Sequence, residues 1–208
     1  MEPSDRVRPY SDAPRLPPGE RLDPRSLVGA GLDPIELELG PGRGGFIFER
    51  LVAEPTARIV GLEIRRKWAT IVDRRIGASE HAGHARVFAE DGKVALPRFE
   101  PATVRRVFVH FPDPWWKKRH AKRLLLGAPL LAELVRVLVP EGELFIQTDV
   151  EERAAGYEAL CLATSGLVPA ASTGPRLDAN PFGAKSPREH RATADGLPVF
   201  RLLFRKNG

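Results

Sequence analysis

Cysteine and long apolar segments are the features that this 208-residue chain most clearly lacks. The single cysteine, Cys161, cannot form an internal disulfide, which fits the reducing cytoplasm. No segment approaches the ~20 apolar residues of a membrane helix, and the N-terminus has no apolar core of a secretion signal. We therefore expect a cytoplasmic protein without membrane contact; a monomer and a homodimer both remain open.

Metal-binding patterns are also missing. The five histidines do not stand at ligand spacing with acids or with Cys161, so we predict no metal. A composition of 42% hydrophobic and 28% charged residues is that of an ordinary globular domain.

Positive charge is unevenly distributed along the chain. Residues 115–123 carry five Lys or Arg and no acid, which equals the entire formal net charge of +5. A basic run is commonly just a solvated face. Beside an active site, however, such a run can hold a nucleic-acid backbone.

The apolar pattern predicts an α/β fold. Strands alternating with helices are typical of a doubly wound, mostly parallel sheet, which binds ligands at the carboxyl ends of its strands.

Residues 1–33 contain six prolines and are expected to form an arm, partly disordered or lying over the domain. Residues 34–208 are expected to form one domain, in which 168–198 have no firm periodicity. We expect strands at 35–39, 58–63, 85–89, 104–111, 143–148 and 199–205, and helices at 46–53, 67–76, 130–138 and 151–164.

A glycine-rich loop follows the first predicted strand and opens the first helix. Gly40, Gly42 and Gly45 satisfy Gly-x-Gly-x-x-Gly, and Glu63 follows at the distance typical of a dinucleotide site. A tight turn without a ligand has the same pattern. Glu38 favours a cationic ligand, because a carboxylate at the strand end would repel a pyrophosphate.

Acids recur at the ends of the later predicted strands. Glu63, Asp91 and Asp113 each occupy such a position, as Glu38 does. Any one of them could be a solvated loop acid. Four carboxylates around one crevice suit S-adenosylmethionine, which carries a sulfonium and an ammonium.

Residues 110–120 form the most specific segment of the chain. Prolines on both sides of Asp113 fix its backbone at the tip of the fourth strand. Trp115 and Trp116 could stack on a base, although tryptophan is more often a core residue.

The sequence resembles the bacterial tRNA (guanine-N7)-methyltransferases from about residue 34 to residue 206. The shared motifs are Leu-Glu-Leu-Gly at 37–40, Gly-Leu-Glu at 61–63, Glu-Asp-Gly at 90–92, Phe-Pro-Asp-Pro-Trp at 111–115, the basic run at 117–123 and Gln-Thr-Asp at 147–149. The resemblance implies a Rossmann-like class I methyltransferase fold with a seven-stranded sheet whose last strand, 199–205, is antiparallel.

The resemblance also implies roles for individual residues. Asp113 would be catalytic, and Lys117 and Asp149 would contact the tRNA, whose methylated base would be guanosine 46 of the variable loop. A Thr-x-x-Glu substrate motif of the family is represented by Ser186 and Glu189, with Pro187 between them. Cofactor contacts are implied for Glu38, Gly40, Gly42, Glu63, Asp91 and Asp113, and contacts with the RNA backbone are expected for Lys118, Arg119, Lys122 and Arg123.

Three alternatives remain open from the sequence. The Pro-Asp-Pro segment also resembles the Asn/Asp-Pro-Pro-aromatic motif of enzymes that methylate exocyclic amines, so another RNA base position is the first. A dinucleotide-dependent oxidoreductase is the second, and Glu38 argues against it. A non-catalytic RNA-binding protein with the same fold is the third.

Overall fold

The computed structural model describes residues 10–112 and 125–208. The strands in this part are β1 (Ile35–Leu39), β2 (Ile59–Leu62), β3 (Ala85–Phe88), β4 (Val104–His110), β5 (Leu138–Thr148), β6 (Leu167–Pro169), β7 (Arg176–Leu177) and β8 (Phe200–Lys206). The helices are α1 (Gly45–Ala53), α2 (Arg66–Gly77), α3 (Gly92–Ala95), α4 (Ala128–Val137), α5 (Glu151–Leu162) and α6 (Pro187–Ala194).

One sheet organises the chain, in the order β3-β2-β1-β4-β5-β8-β6. The first five strands of this order pair in parallel, and β8 pairs antiparallel with β5 and β6. The short β7 also pairs with β8, which adds an eighth strand to the seven expected. The doubly wound, mostly parallel fold with an antiparallel last strand is therefore confirmed. Its strand order switches between β1 and β4, where such folds bind ligands.

Both faces of the sheet are covered, which explains why β1 is buried along its whole length. On one face, Leu37 and Leu39 share a core cluster with Leu131 and Leu134 of α4. On the other face, Ile47 of α1 and Val72 of α2 pack with Ile59 and Val87.

A buried charge network anchors α1 to the sheet. Glu36 of β1 is fully buried and accepts hydrogen bonds from Arg50 of α1, Arg105 and Arg106. Burial raises the pKa of Glu36, but hydrogen bonds and charge from these arginines outweigh it, so its net pKa is lowered. Arg50 also donates to the carbonyl of Phe182. This network fixes α1, and with it the loop that precedes the helix.

The segment after α4 differs from its predicted form. The helix ends at Val137, and the extended chain begins at once, whereas the sequence predicted a helix to residue 138 and a strand from 143. Pro140 bars helical continuation and favours extended backbone at the residue before it. Glu141 has a positive φ of 61°, and the β4–β5 register shifts in this region. The strand is longer than predicted because the turn is a bulge within it.

Helix α6 lies within the segment for which the sequence predicted no regular element. Its polar sequence hides the helical period, but its start carries a helix signature. Ser186 is the N-cap and accepts from the backbone N–H of Glu189, and Pro187 is the first helical residue.

Residues 10–33 contact the domain at several points. Leu16 and Val28 are buried in the main core cluster. The backbone N–H of Leu16 donates to the Glu90 carboxylate, and the guanidinium of Arg58 donates to the carbonyl of Val28. Within the described residues, no helix is long and apolar enough to cross a membrane.

Candidate functional site

Two adjoining cavities open at the carboxyl ends of the parallel strands, each with a volume of about 470 Å³. Gly40, His110, Phe111 and Pro112 line both of them. We call the one lined by Glu38, Asp149 and Arg188 the first cavity, and the one lined by Glu63 and Asp91 the second cavity. Both lie at the β1–β4 switch point, as the predicted fold requires.

The glycine loop has a backbone that side chains would not tolerate well. Gly40 and Gly42 have positive φ angles of 75° and 56°. No atom of the described residues lies within 4 Å of the position that a Cβ of Gly40 would occupy. A Cβ on Gly44 would lie 2.4 Å from Cγ1 of Val72, so this glycine allows α2 to pack against the loop.

Glu38 and His110 form a buried pair beneath this loop. The Oε1 atom of Glu38 lies 2.9 Å from Nδ1 of His110, and their side chains are 2% and 4% exposed. The second carboxylate oxygen of Glu38 is buried and has no hydrogen-bond partner among the described residues. Since Glu38 lines the first cavity, this arrangement provides a buried negative charge next to the glycine loop.

Glu63 and Asp91 line the second cavity and also hold backbone there. Glu63 accepts hydrogen bonds from the N–H of Gly42 and from the backbone and guanidinium of Arg65. It therefore joins the end of β2 to the glycine loop. Asp91 is the N-cap of α3 and accepts from the backbone N–H of Lys93. Each carboxylate retains unused lone-pair positions that a hydroxyl or amine could fill.

Asp149 follows β5 and also lines the first cavity. Its Oδ2 atom accepts hydrogen bonds from Nε of Arg188, at 3.0 Å, and from Nη2 of the same residue. Arg188 stands in the first turn of α6. Asp149, which is expected to contact the tRNA, is thus held by Arg188, a residue of the segment 168–198 for which the sequence predicted no regular element.

Ser186 and Glu189 occupy different environments. Ser186 lines the first cavity while capping α6. Glu189 is fully buried outside the lining of both cavities, and it accepts from Arg201 at 2.8 Å and Asn180 at 3.0 Å. Burial raises the pKa of Glu189, but hydrogen bonds, including those from Arg201 and Asn180, lower it by a larger amount. The net pKa of Glu189 is therefore below the ordinary value. In this structure Glu189 holds α6 against β8.

Pro187 reaches the glycine loop as well as starting the helix. A Cβ on Gly45, the first residue of α1, would lie 2.4 Å from Cγ of Pro187. The proline that departs from the family motif is therefore accommodated by a glycine, and it connects α6 to the loop.

Of the segment 110–120, the structure describes residues 110–112. Phe111 leaves β4 with a positive φ of 47° and donates its N–H to the carbonyl of Gln147. The following Pro112 lines both cavities. The predicted site residues that lie outside the described residues are Asp113, Lys117, Lys118, Arg119, Lys122 and Arg123.

Two residues of the site were missed by the sequence reasoning. His110 belongs to the segment 110–120, but the sequence assigns it no role, since nothing in the sequence shows that β1 lies beside β4. Arg188 belongs to an unpredicted helix. The serine, proline and glutamate at 186, 187 and 189 were the available signal for that helix.

No group of three or more His, Cys, Asp or Glu side chains within 10–112 and 125–208 is arranged to hold a metal ion. The acids around the cavities are spread along the sheet edge instead.

Comparisons with known proteins agree with this architecture. A family model described as "Putative methyltransferase" matches residues 33–202. Among solved structures, the 16S rRNA methyltransferase KamB is 17% identical with a TM-score of 0.62, covering 91% of this chain and 96% of that one. A geranyl diphosphate C-methyltransferase from Streptomyces coelicolor, solved with S-adenosyl-L-homocysteine, is 16% identical with a TM-score of 0.53, covering 86% of this chain and 70% of that one. These likenesses concern the fold.

Curated relatives are closer in sequence. A tRNA (guanine-N(7)-)-methyltransferase of Anaeromyxobacter dehalogenans is 38% identical over 88% of this chain and 91% of its own length. The protein of that name from Myxococcus xanthus is 36% identical over 83% of this chain and 84% of its own length. That from Parasynechococcus marenigrum is 34% identical over 97% of this chain and 86% of its own length. The chain therefore belongs to the tRNA (guanine-N(7)-)-methyltransferase family.

Proposed function

We propose that this protein transfers a methyl group from S-adenosylmethionine to N7 of a guanine in tRNA. The observation that carries the proposal is the buried carboxylate of Glu38 in a protein of this family: beside the glycine loop, one of its oxygens has no hydrogen-bond partner among the described residues. A buried anion without a full set of partners is costly, so its place in a cavity calls for a cationic ligand.

The second cavity supports the same cofactor. Glu63 and Asp91 offer acceptors for the hydroxyl and amine groups of an adenosine, and Gly40 leaves open space where the two cavities meet. A dinucleotide would bring a pyrophosphate against Glu38, and the like charges would repel at short range. The acids thus favour S-adenosylmethionine over a nicotinamide dinucleotide. When bound, S-adenosylmethionine supplies an electrophilic methyl group on a positively charged sulfur.

Asp149 is suited to select guanine. Guanine presents two donors on one edge, N1–H and the exocyclic amine, whereas adenine has no N1–H. An ionised carboxylate only accepts hydrogen bonds, so it discriminates between these two edges. We expect Asp149 to bind the base within the first cavity.

The reaction at N7 requires little proton chemistry from the protein. N7 carries a lone pair and no proton, so no general base is needed at the attacking atom. The protein must align the reactants and stabilise positive charge as it moves onto the guanine ring. We assign charge stabilisation to Asp113, which in the sequence directly follows Pro112, a residue that lines both cavities.

Within the tRNA, we assign guanosine 46 of the variable loop as the methylated nucleoside. N7 lies deep in the major groove of a paired A-form helix, where side chains cannot easily read it, so an exposed loop base is the accessible target. The basic run at 117–123 would hold the phosphates around it.

Two matched substrates and one variant test these assignments. An unmodified tRNA transcript should accept a labelled methyl group, and a transcript with adenosine in place of guanosine 46 should not. Labelling of both transcripts would contradict the assignment of guanosine 46 as the methylated nucleoside. Asp149→Ala should reduce methylation strongly while affinity for S-adenosylhomocysteine stays near wild type. Equal loss of both properties would show that Asp149 supports the cofactor site instead of reading the base.

A further inference from the structure

We propose that His110 is a positioning residue, which holds the Glu38 carboxylate so that its second oxygen, Oε2, receives the ammonium group of S-adenosylmethionine. This inference rests on the proposed function only for the identity of the cofactor. It does not depend on the tRNA or on the position of the methylated base.

The pairing follows from the sheet topology. Glu38 is the fourth residue of β1, and His110 is the last residue of the neighbouring parallel strand β4. In the β1–β4 register Leu39 stands beside Val109, which brings Glu38 and His110 to the same edge of the sheet. The 2.9 Å contact joins side chains that are almost completely buried. Breaking an exposed ion pair costs little free energy, whereas breaking this buried pair would leave Glu38 buried without its partner, at a larger cost in free energy.

The direction of the hydrogen bond follows from chemistry. Because an ionised carboxylate can only accept, the proton of this bond belongs to Nδ1 of His110. One oxygen of Glu38 then accepts the imidazole N–H in a fixed direction. The other oxygen, Oε2, is left buried and without a partner in the described part of the chain.

Aromatic rings restrict the imidazole. The His110 ring centroid lies 4.2 Å from that of Phe46 and 5.9 and 6.1 Å from those of Phe108 and Phe145. Rotation of the imidazole away from Glu38 would require these packed rings to move. His110 therefore fixes the carboxylate more firmly than a flexible donor would.

The positioning role predicts that loss of the His110 donor weakens binding of the ammonium end of the cofactor and not of its adenosine end. Glu38 lines the first cavity, whereas Glu63 and Asp91 line the second, on the far side of Gly40. A ligand with an adenosine but no ammonium should bind through the second cavity, where His110 is part of the lining, without using the Glu38 carboxylate. Loss of the His110 donor should weaken only ligands that carry the ammonium.

Three substitutions of His110 separate the hydrogen bond from the packing. His110→Asn keeps an N–H donor near the position of Nδ1, and His110→Phe keeps a ring but removes the donor. His110→Gln keeps an amide but places it one methylene farther out, and it serves if the Phe variant does not fold. His84→Phe, at an exposed position outside both cavities, is the matched control for replacing a histidine.

Calorimetric binding of S-adenosylhomocysteine and 5′-methylthioadenosine tests the inference, since only the first has an ammonium. We expect His110→Phe and His110→Gln to weaken S-adenosylhomocysteine about tenfold or more, as for a lost hydrogen bond to a charged group. Binding of 5′-methylthioadenosine should change less than about twofold, and His110→Asn should restore S-adenosylhomocysteine to near the wild-type affinity. His84→Phe should bind both ligands as the wild type does.

The results that would contradict the role of His110 differ from the result that would also contradict the proposed function. Equal weakening of both ligands would mean that His110 only supports the fold, and unchanged affinity for both would mean that Glu38 needs no such partner. Either result overturns the positioning role and leaves the proposed methyl transfer intact. Failure of the wild-type protein to bind S-adenosylhomocysteine would overturn the proposed function and this inference together.

Discussion

The guanidinium of Arg188 donates two hydrogen bonds to a single oxygen of Asp149, Oδ2, at the edge of the first cavity. An ionised carboxylate oxygen has about two lone-pair positions, so Oδ2 is filled. A guanine that donated both N1–H and its amine would need both oxygens of Asp149. The two N–H groups of arginine match the two donors of guanine, so the side chain and the base compete for one acceptor.

Replacing Arg188 should therefore improve binding of the tRNA. The side chains of Arg188 and Asp149 are 45% and 18% exposed, and ion pairs near the surface contribute ~0.2–1 kcal/mol. We expect Arg188→Ala to lower the KM for tRNA by about twofold to fivefold, with little change in kcat. Arg191→Ala is the control, because it removes the same charge from an exposed site on α6. A higher KM in Arg188→Ala than in Arg191→Ala would show that Arg188 assists the RNA instead of competing with it.

A methyl group at Gly40 should block the cofactor. Gly40 and Gly83 both have positive φ angles, 75° and 86°, and within the described part of the chain neither has an atom within 4 Å of its Cβ position. Alanine at either position should cost about 1 kcal/mol of backbone strain. Only Gly40 lines the cavities, so only Gly40→Ala should weaken S-adenosylhomocysteine, by about tenfold or more. Equal affinities of the two variants in calorimetry would refute a cofactor at the junction of the cavities.

Glu189 should make stability depend on pH. Its pKa in the folded protein is lowered from an ordinary value of 4.5, so its ionised form stabilises the fold above that pH. The contribution is lost as the pH falls through the lower folded-state value. We expect Glu189→Gln to reduce the free energy of unfolding by about 2 kcal/mol at pH 7, with a smaller difference below pH 4.5. Urea titrations at several pH values measure this, with the exposed Glu20→Gln as control; a difference that is constant with pH would contradict the assignment.

The basic run should control the salt dependence of RNA binding. Replacing Lys117, Lys118 and Arg119 by glutamine removes three cations from residues 115–123. The slope of log affinity against log salt should flatten by up to ~2–3, since each released phosphate contact contributes ~0.7–0.9. Filter binding at several salt concentrations checks this, and affinity for S-adenosylhomocysteine should stay unchanged. An unaltered slope would indicate a solvated surface.

Much of the fold could be predicted from local sequence patterns. Runs such as 35–39 and 104–111 are rich in apolar and β-branched residues, and the glycines after residue 39 require a tight turn before a helix. These signals are local, so one sequence suffices to detect them. The helix α6 carries a local signal too, but its polar composition obscured it.

The contacts that shape the site could not be predicted in the same way. Glu38 and His110 meet because the chain passes through β2 and β3 before β4 returns beside β1. Arg188 reaches Asp149 because α6 is held by Glu189 and Pro187, each through partners distant in sequence. Strand order and long-range side-chain contacts do not appear in the periodicity of one chain.

The most direct test is to identify the methylated nucleoside. Pure protein is incubated with unmodified tRNA and S-adenosylmethionine labelled in its methyl group, and the digested RNA is separated into nucleosides. The account predicts label in 7-methylguanosine and its loss with Asp113→Ala. Label in N2-methylguanosine or another nucleoside, or no label although the cofactor binds, would contradict it.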